Sequence, residues 1–465
     1  MSDFSNPQFC AALAVLRTLK AEGHQAYLAG GCVRDLLLQR KPGDYDIATS
    51  ATPNIVLDLF PRTFNVGAHF GVVLVSAEFE NQPTLTEVAT FRSDGAYSDG
   101  RHPDTVRYTI SAEEDVQRRD FTINGLLLDP DMSGMDKSVV RAGVLDYVNG
   151  LADLDAGIIR AIGNPERRFE EDHLRMLRAV RFASRLDFTI DPNTFEAMRS
   201  LAPKIHAVSR ERVRDELTRM LTEGNACQAF ELLDETGLLA EVLPEVTRLK
   251  GVAQPPQYHP EGDVWTHTLM LLDQLEEGCS TTLAWGALLH DIGKPATYQP
   301  PSGPGDRIRF NGHVEVGVRI AAEICRRLRF SNDETAQILA LVQNHMRFAD
   351  TAHMKTATLK RFFRLDRFPE HLALHRMDCL ASSGNLDHYN FAREHYENMP
   401  PEQVRPQPLL TGRELIAAGY NPGSAFKAML HAVEEAQLEG TIHTPDEAMA
   451  LIRSHFPPPE TAAAG

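Results

Sequence analysis

The chain has 465 residues, 43% of them hydrophobic and 24% charged, with a formal net charge of −17. Such a length exceeds what one hydrophobic core serves and implies three or four domains, while the composition excludes a largely disordered chain. No apolar run is long enough to span a membrane, residues 1 to 6 are polar and acidic rather than signal-like, and the six cysteines form no Cys-x-x-Cys pair. These features predict a cytoplasmic, reducing setting without a zinc ribbon.

In chain order, Ala26 to Ala29 reads as a short buried strand and Val33 to Leu38 as the start of a helix, joined by Gly30-Gly31. Glycines at a strand-to-helix turn let the backbone approach a phosphate, and the helix N-terminus adds N–H donors and positive dipole. Asp44 and Asp46 then fall at i and i+2 on the next strand, so their carboxylates share a face. Two carboxylates beside a phosphate cradle suit a pair of Mg2+ ions for in-line nucleotidyl transfer. Phe70 to Val75 and Thr86 to Phe91 are short β-branched segments that read as further strands. Glu87, on the second of them, is either a third acid near the metals or an ordinary half-exposed strand acid. In Arg118-Arg119-Asp120-Phe121-Thr122-Ile123-Asn124 the arginines can fork onto phosphate oxygens, and Asp120 and Asn124 can hold a ribose or a neighbouring loop. A helix cap with charged flanks is the plainer alternative.

From Gly163 the pattern is helical: Arg167 to Leu186, Arg210 to Leu221 and Ala226 to Leu233 carry helix-period apolar residues, with Gly224 and Gly237 as stops. Glu171-Asp172-His173-Leu174-Arg175 opens one of these helices. Asp172 and Arg175 are three apart and share a face, which suits either reading the Watson–Crick edge of a base or a simple helix ion pair. The arginines crowded between Arg160 and Arg219, with Lys204, form a basic belt. Such a belt lets an acidic protein bind a compact RNA while rejecting non-specific polyanions.

Gly251 to Pro256 reads as a linker, residues 258 to 395 as helices interrupted by a loop at 299 to 306, and Pro400 to Pro408 as a boundary before a small helical piece with a frayed tail from Pro457. His267, His290, Asp291, His313, His345 and Asp378 each lie on or beside a different predicted helix, except for the adjacent pair His290-Asp291. Imidazoles and carboxylates converging from several helices suit one or two divalent transition metals with open positions for water. Lys294, one turn past Asp291, is placed to hold a phosphate. His259, His353, His371 and His375 read as surface or core histidines.

The series Gly30-Gly31 with Arg34-Asp35, Asp44-Tyr45-Asp46, Glu87 with Arg92, Arg118 to Asn124, Asp146-Tyr147 with Asn149-Gly150, and Glu171-Asp172 with Arg175 resembles the class II tRNA nucleotidyltransferases. That family comprises CCA-adding enzymes and bacterial poly(A) polymerases, and the resemblance covers the chain to about residue 245. It implies an α+β protein: a polymerase-β-like nucleotidyltransferase head with a mixed sheet and helices, then an all-α neck and body. It implies Mg2+ on Asp44 and Asp46, with Glu87 as a third catalytic acid. The incoming CTP or ATP is expected against Gly30, Gly31, Arg34, Asp35, Arg119, Asp120, Asn124, Asp172, Arg175 and Arg178, and the tRNA 3′ end is the expected acceptor. Residues 91 to 103 resemble the family's flexible loop, found in enzymes that add the terminal A. Leu289-His290-Asp291-Ile292-Gly293-Lys294 and its partner histidines are similar to the HD phosphohydrolase superfamily, which implies Ni2+, Co2+ or Mn2+ and phosphate-ester hydrolysis. The expected division is a head over 1–140, a neck and body over 141–250, an HD-type helical domain over 251–398 and a C-terminal tail over 399–465. An enzyme adding only the terminal A, a poly(A) polymerase, and an HD phosphohydrolase with an RNA-binding head stand as alternatives.

Overall fold

Short β-branched segments build the sheet that positions the first site. The computed structural model describes residues 6–64, 71–79, 82–94, 106–130, 137–260 and 262–457. The chain divides into two units: Met1–Thr247 with Leu275–Gly278 and Arg327–Arg329, and Arg248–Gln274 with Cys279–Arg326 and Phe330–Gly465.

In the first unit the strands are β1 (Ala26–Ala29), β2 (Ile47–Thr49), β3 (Thr63–Phe64), β4 (Val72–Phe79), β5 (Gln82–Thr90), β6 (Arg92–Asp94), β7 (Val106–Tyr108), β8 (Leu126–Leu128) and β9 (Val144–Asp146). Seven of them form one sheet in the order β3-β4-β5-β2-β1-β8-β9, and β6 pairs with β7 separately. Among the described residues only β2 and β5 run parallel in that sheet, with Ile47 opposite Val88; its other pairings are antiparallel. The helix Pro7–Ala21 lies against β1, β2, β4 and β5 and buries Phe9, Leu13, Leu16 and Leu19, the i, i+3, i+4 stripe of an amphipathic helix. The mixed sheet followed by helices is the α+β architecture read from the sequence. The sheet runs on to Asp146 in β9, six residues past the expected head boundary at 140.

Beyond the sheet the first unit is helical apart from the two-residue strands Ile158–Ile159 and Thr189–Ile190. The stretch read as one helix from Arg167 to Leu186 is two, Pro165–Glu171 and Leu174–Leu186. Asp172 breaks it: its backbone is extended, at φ −151°, and its carboxylate accepts from the Leu174 N–H at 3.1 Å. Asp side chains compete with helical hydrogen bonds in this way.

The second unit is helical. The helices Val264–Leu272, Thr281–Leu289, His313–Arg327, Asn332–Asn344 and Phe368–Ala381 carry or adjoin the predicted histidine and aspartate set. Thr281–Leu289 is buried almost all round, which explains its continuous apolar sequence. The expected linker is ordered: Ala253 bridges to Asp263, and Val264 N–H donates to the Val252 carbonyl at 3.0 Å. Leu410, Leu415, Met429, Val433 and Ile452 make a separate core for the C-terminal helices. Of residues 91–103, which resemble the flexible loop, 95–103 lie outside the described residues, as does the tail from 458.

Gly150 opens the helix Gly150–Ala156 against the turn that carries Asn124. A Cβ there would lie 2.2 Å from the Thr122 carbonyl oxygen and 2.9 Å from Leu126. Gly150→Ala is therefore expected to cost about 1–3 kcal/mol by overpacking against backbone. Gly43→Ala, with nothing within 4 Å of the new atom, should cost less than about 0.5 kcal/mol. Urea unfolding of the two variants measures the contrast, and equal stabilities would refute it.

Candidate functional site

The first site gathers where β1 and β2 meet. β1 ends at Ala29, and Gly30 turns the chain at φ +73°, a conformation that favours glycine, into the helix Gly31–Leu37. A side chain at Gly30 would also crowd Arg119, whose Nη1 lies 3.2 Å from the Cβ position. Asp44 and Asp46 stand in the extended segment leading into β2, not within the strand. Asp46 is nonetheless part of the pairing, since its carbonyl accepts from Ala29 N–H at 3.0 Å. Tyr45 between them is buried against Phe9 at 5.2 Å between ring centroids, and both acids line the cleft.

Parallel pairing of β2 with β5 brings Glu87 level with Asp46, one residue before the matched Ile47 and Val88. Two of the three carboxylates are shifted by this environment. Burial first, then repulsion from Asp44 and Glu87, raises the Asp46 carboxyl to about 7, against the pull of Arg119. Glu87 is raised by burial and by Asp44. Glu87 thus joins the two aspartates, and the set supplies hard oxygen donors of the kind that hold Mg2+.

These acids line a cleft of 570 Å3 together with Gly30, Gly31, Arg34, Arg118, Arg119, Asp120, Asn124, Asp172, Arg175, Arg178, Phe182 and Arg212. Most of the cleft's arginines are held from behind. Asp115, 1% exposed, accepts Arg118 on one oxygen at 2.8 Å and Arg119 on the other at 3.0 Å. Burial alone would raise the Asp115 carboxyl, but the two guanidinium groups hold it below its ordinary value. Asp120 accepts two hydrogen bonds from Arg178, at 2.9 and 2.6 Å, and one from Asn124 at 3.1 Å. Despite burial, these contacts lower its carboxyl to about 2.

Asp35 departs from the sequence reading. It is buried and absent from the cleft lining, and its carboxylate pairs with Arg34 at 2.8 Å. It is a counter-ion that orients Arg34, whose Nη1 donates to Asn124 at 2.6 Å. Asp172 and Arg175 do not share one helix face either, because the helix breaks between them. Asp172 pairs with Arg212 at 2.7 Å, while Arg175 pairs with Glu171 at 2.6 Å and donates to the carbonyls of Arg118 and Arg168. Both still line the cleft, and the simple ion pair between them is not formed. Asp115, Phe182 and Arg212 were missed as site residues. The i+3 and i+4 spacing of Arg118 and Arg119 from Asp115 was the available signal for the first. Arg212 was visible only as one member of the basic belt.

The second unit brings its histidines and aspartates together. His267, His290 and Asp378 form one triad of donor atoms and Asp291, His313 and His345 another, each within 4.8 Å. The two meet at Asp291, 3.2 Å from His290 and 3.7 Å from both His313 and His345, while His267 lies 3.3 Å from His290. His290, His313 and His345 all direct Nε2 into the cluster. Their Nδ1 atoms donate to the carbonyls of Ala287, Phe310 and Val342 at 2.9, 2.9 and 2.7 Å. A backbone carbonyl fixing the outer ring nitrogen is the arrangement found around metal-ligating histidines. Neighbouring cations and imidazoles hold the carboxyls of buried Asp291 and half-buried Asp378 low. This is the geometry of a divalent-metal site.

Lys294 is not free to hold a phosphate as expected. Buried, it pairs with Asp291 at 2.6 Å and donates to Gln254 at 2.7 Å. Among the remaining histidines, His371 and His375 are core residues, each lowered to about 4 chiefly by burial. His259 packs edge-on to His267, and His353 ends a 3-10 helix on the surface.

Three family models match the chain: the poly A polymerase head domain over residues 26–160, the probable RNA and SrmB- binding site of polymerase A over 187–250, and the HD domain over 263–383. The CCA-adding enzyme of Levilactobacillus brevis is 32% identical over 447 residues, covering 96% of this chain and 97% of that enzyme. The chain belongs to the CCA-adding enzyme family. The CCA-adding enzymes of Lactobacillus johnsonii and Lactobacillus gasseri are 40% identical over 268 residues, so the chain spans 64% of the length of these relatives. A crystal structure of the Bacillus stearothermophilus CCA-adding enzyme in complex with CTP matches 97% of this chain and 98% of that one, with 27% identity and a TM-score of 0.70. The Thermotoga maritima CCA-adding enzyme complexed with tRNA shares the fold at 16% identity, with a TM-score of 0.56 over 96% of this chain.

The acid cluster predicts a pH dependence. A carboxyl raised in the folded chain favours folding when protonated, so the Asp46 contribution is full below its ordinary value of 3.8 and is lost as pH rises through about 7. Asp44→Asn removes part of the repulsion that acts above that range. In chelator, it should raise the melting temperature at pH 8 and leave it unchanged at pH 4. A rise of equal size at both values would count against the coupling.

Proposed function

We propose that this chain adds C and A nucleotides to the 3′ end of tRNA, taking CTP and ATP as substrates and using no nucleic-acid template. The convergence of Asp44, Asp46 and Glu87 with an arginine-lined cleft carries this reading, in a chain of the CCA-adding family. Asp44 and Asp46 would hold Mg2+ with Glu87 beside them; the raised proton affinity of Asp46 and Glu87 marks a site where a cation relieves repulsion. When bound, two such ions activate the attacking 3′-hydroxyl and steady the leaving pyrophosphate.

The chain's own groups do the rest. Gly30 and Gly31 leave space for the triphosphate beside the acids. Arg119 and Arg178, fixed by Asp115 and Asp120, present charge to phosphate or ribose oxygens without first having to order their side chains. Asp172, held by Arg212, accepts from the exocyclic amino group that C and A share and U and G lack at that position. Arg175, held by Glu171 and two carbonyls, donates to the ring acceptors. Pre-set acceptor and donors of this kind select bases without a template.

The histidine-rich cluster of the second unit supports a further reading, hydrolysis of phosphate esters with Ni2+, Co2+ or Mn2+. Its nitrogen donors suit those ions better than Mg2+. A cytoplasmic location is part of the same proposal. None of the six cysteines is in a disulfide, and among the described residues no helix is long and apolar enough to cross a membrane.

Incubating the protein with tRNAs ending before the first C, after one C and after both, with CTP and ATP given separately, tests the main reading. Addition of two C and then one A is expected; poly(A) tails or A addition alone would overturn it. Asp44→Ala and Asp46→Ala should each lower addition at least about a thousandfold while the fold persists, because they remove metal-bound charge rather than core packing.

The hydrolytic reading has its own test. Replacing His290 and Asp291 with Ala should abolish binding of Ni2+, Co2+ and Mn2+, and any hydrolysis of 2′,3′-cyclic nucleotides, with nucleotide addition kept within about threefold. Loss of addition in the folded double variant would show that the two chemistries are coupled.

A further inference from the structure

Phe182 lies on the helix Leu174–Leu186, one turn beyond Arg178, and is 5% exposed where it lines the cleft. Three guanidinium carbons crowd its ring, those of Arg181 at 4.3 Å, Arg34 at 5.1 Å and Arg178 at 5.2 Å from the centroid. Phe121 meets it edge-on at 5.9 Å, which fixes the ring plane. Arg181 is committed elsewhere, in a buried pair with Glu216 at 2.6 Å. Arg34 and Arg178 are different, for a second path already connects them. Arg34 donates to Asn124, Asn124 donates to Asp120, and Asp120 accepts both hydrogen bonds from Arg178. The aromatic ring closes that path into a loop of five side chains.

The loop joins two parts of the fold. Arg34 belongs to the helix after β1, and Asp120 and Asn124 to the turn before β8, beside the acids. Arg178 and Phe182 belong to the helix whose first turn carries Arg175. An aromatic face attracts a guanidinium through its quadrupole, and does so more strongly when water is excluded. Here one face system holds two cations of like sign close together, which an aliphatic side chain of similar size would not do.

We infer that Phe182 is a positioning residue for nucleotide selection: by holding Arg34 and Arg178 together, its ring keeps Asp172 and Arg175 in register with Asp44 and Asp46. The inference rests on the proposed nucleotidyl transfer. With the ring in place, a nucleotide whose base is paired at one end of the cleft has its α-phosphate at the acids. Without it, a cognate nucleotide loses that alignment advantage, which an unpaired non-cognate base never had, and the loss falls on turnover of the cognate nucleotides.

Phe182→Leu and Phe182→Met keep apolar bulk and remove the π face, whereas Phe182→Tyr keeps both. For full-length protein on tRNA lacking its 3′ end, the first two should lower the preference for CTP over UTP and for ATP over GTP about tenfold, in keeping with the loss of a desolvated cation–π contact. The change should appear in kcat, with KM moved less than about threefold, and Phe182→Tyr should restore both within about twofold. Wild-type selection in Phe182→Met, or a Phe182→Tyr variant as indiscriminate as Phe182→Met, would overturn the inference. If Phe182→Leu fails to fold, Phe182→Met and Phe182→Tyr still decide it. A wild-type protein that adds neither C nor A would instead overturn the nucleotidyl-transfer reading itself.

Discussion

Crowding of negative charge is the constraint on which the first site depends. Asp44, Asp46 and Glu87 cannot all be ionised at low cost, yet the sheet leaves them no freedom to separate. β2 and β5 are paired in parallel, and that pairing sets Asp46 level with Glu87. Tyr45, locked on Phe9, fixes the segment between the two aspartates. The repulsion is therefore held by the fold, and a proton or a cation placed among the three carboxylates would release it.

The arginines around the cleft obey a complementary rule. Five of them are tied to acids: Arg118 and Arg119 to Asp115, Arg34 to Asp35, Arg178 to Asp120, Arg175 to Glu171. Buried pairs of this kind add little to stability, because desolvation offsets their attraction. Their effect is on geometry. A guanidinium that is already ordered loses less freedom when it meets a phosphate or a base.

Much of this was legible in the sequence, and the failures have a common physical origin. The strand-to-helix turn at Gly30, the acid pair at 44 and 46, and the sixfold histidine and aspartate set were read from spacing, because each depends on a local period or an ordered series. The single helix read across Arg167 to Leu186 failed at Asp172, where a side chain capping the next turn outcompeted the helical pattern around it. Asp35 and Lys294 were given ligand roles; burial, which spacing does not show, turns them instead onto the nearby charges of Arg34 and Asp291 as counter-ions. Arg212, 40 residues from Asp172, could be placed beside it only by the packing of two helices. Phe182 passed as one more apolar position in an amphipathic helix.

The histidines of the second unit carry one more consequence. A carbonyl can only accept, so the contacts to Ala287, Phe310 and Val342 put a proton on Nδ1 of His290, His313 and His345 and turn Nε2 toward the cluster. Burial, the largest influence on His313, holds its imidazole below its ordinary value. In their neutral form the three rings therefore present Nε2 as the donor, and no ring has to exchange one nitrogen's proton for the other's. Capture of a metal near neutral pH then resembles the filling of a rigid chelator more than the assembly of a coordination sphere.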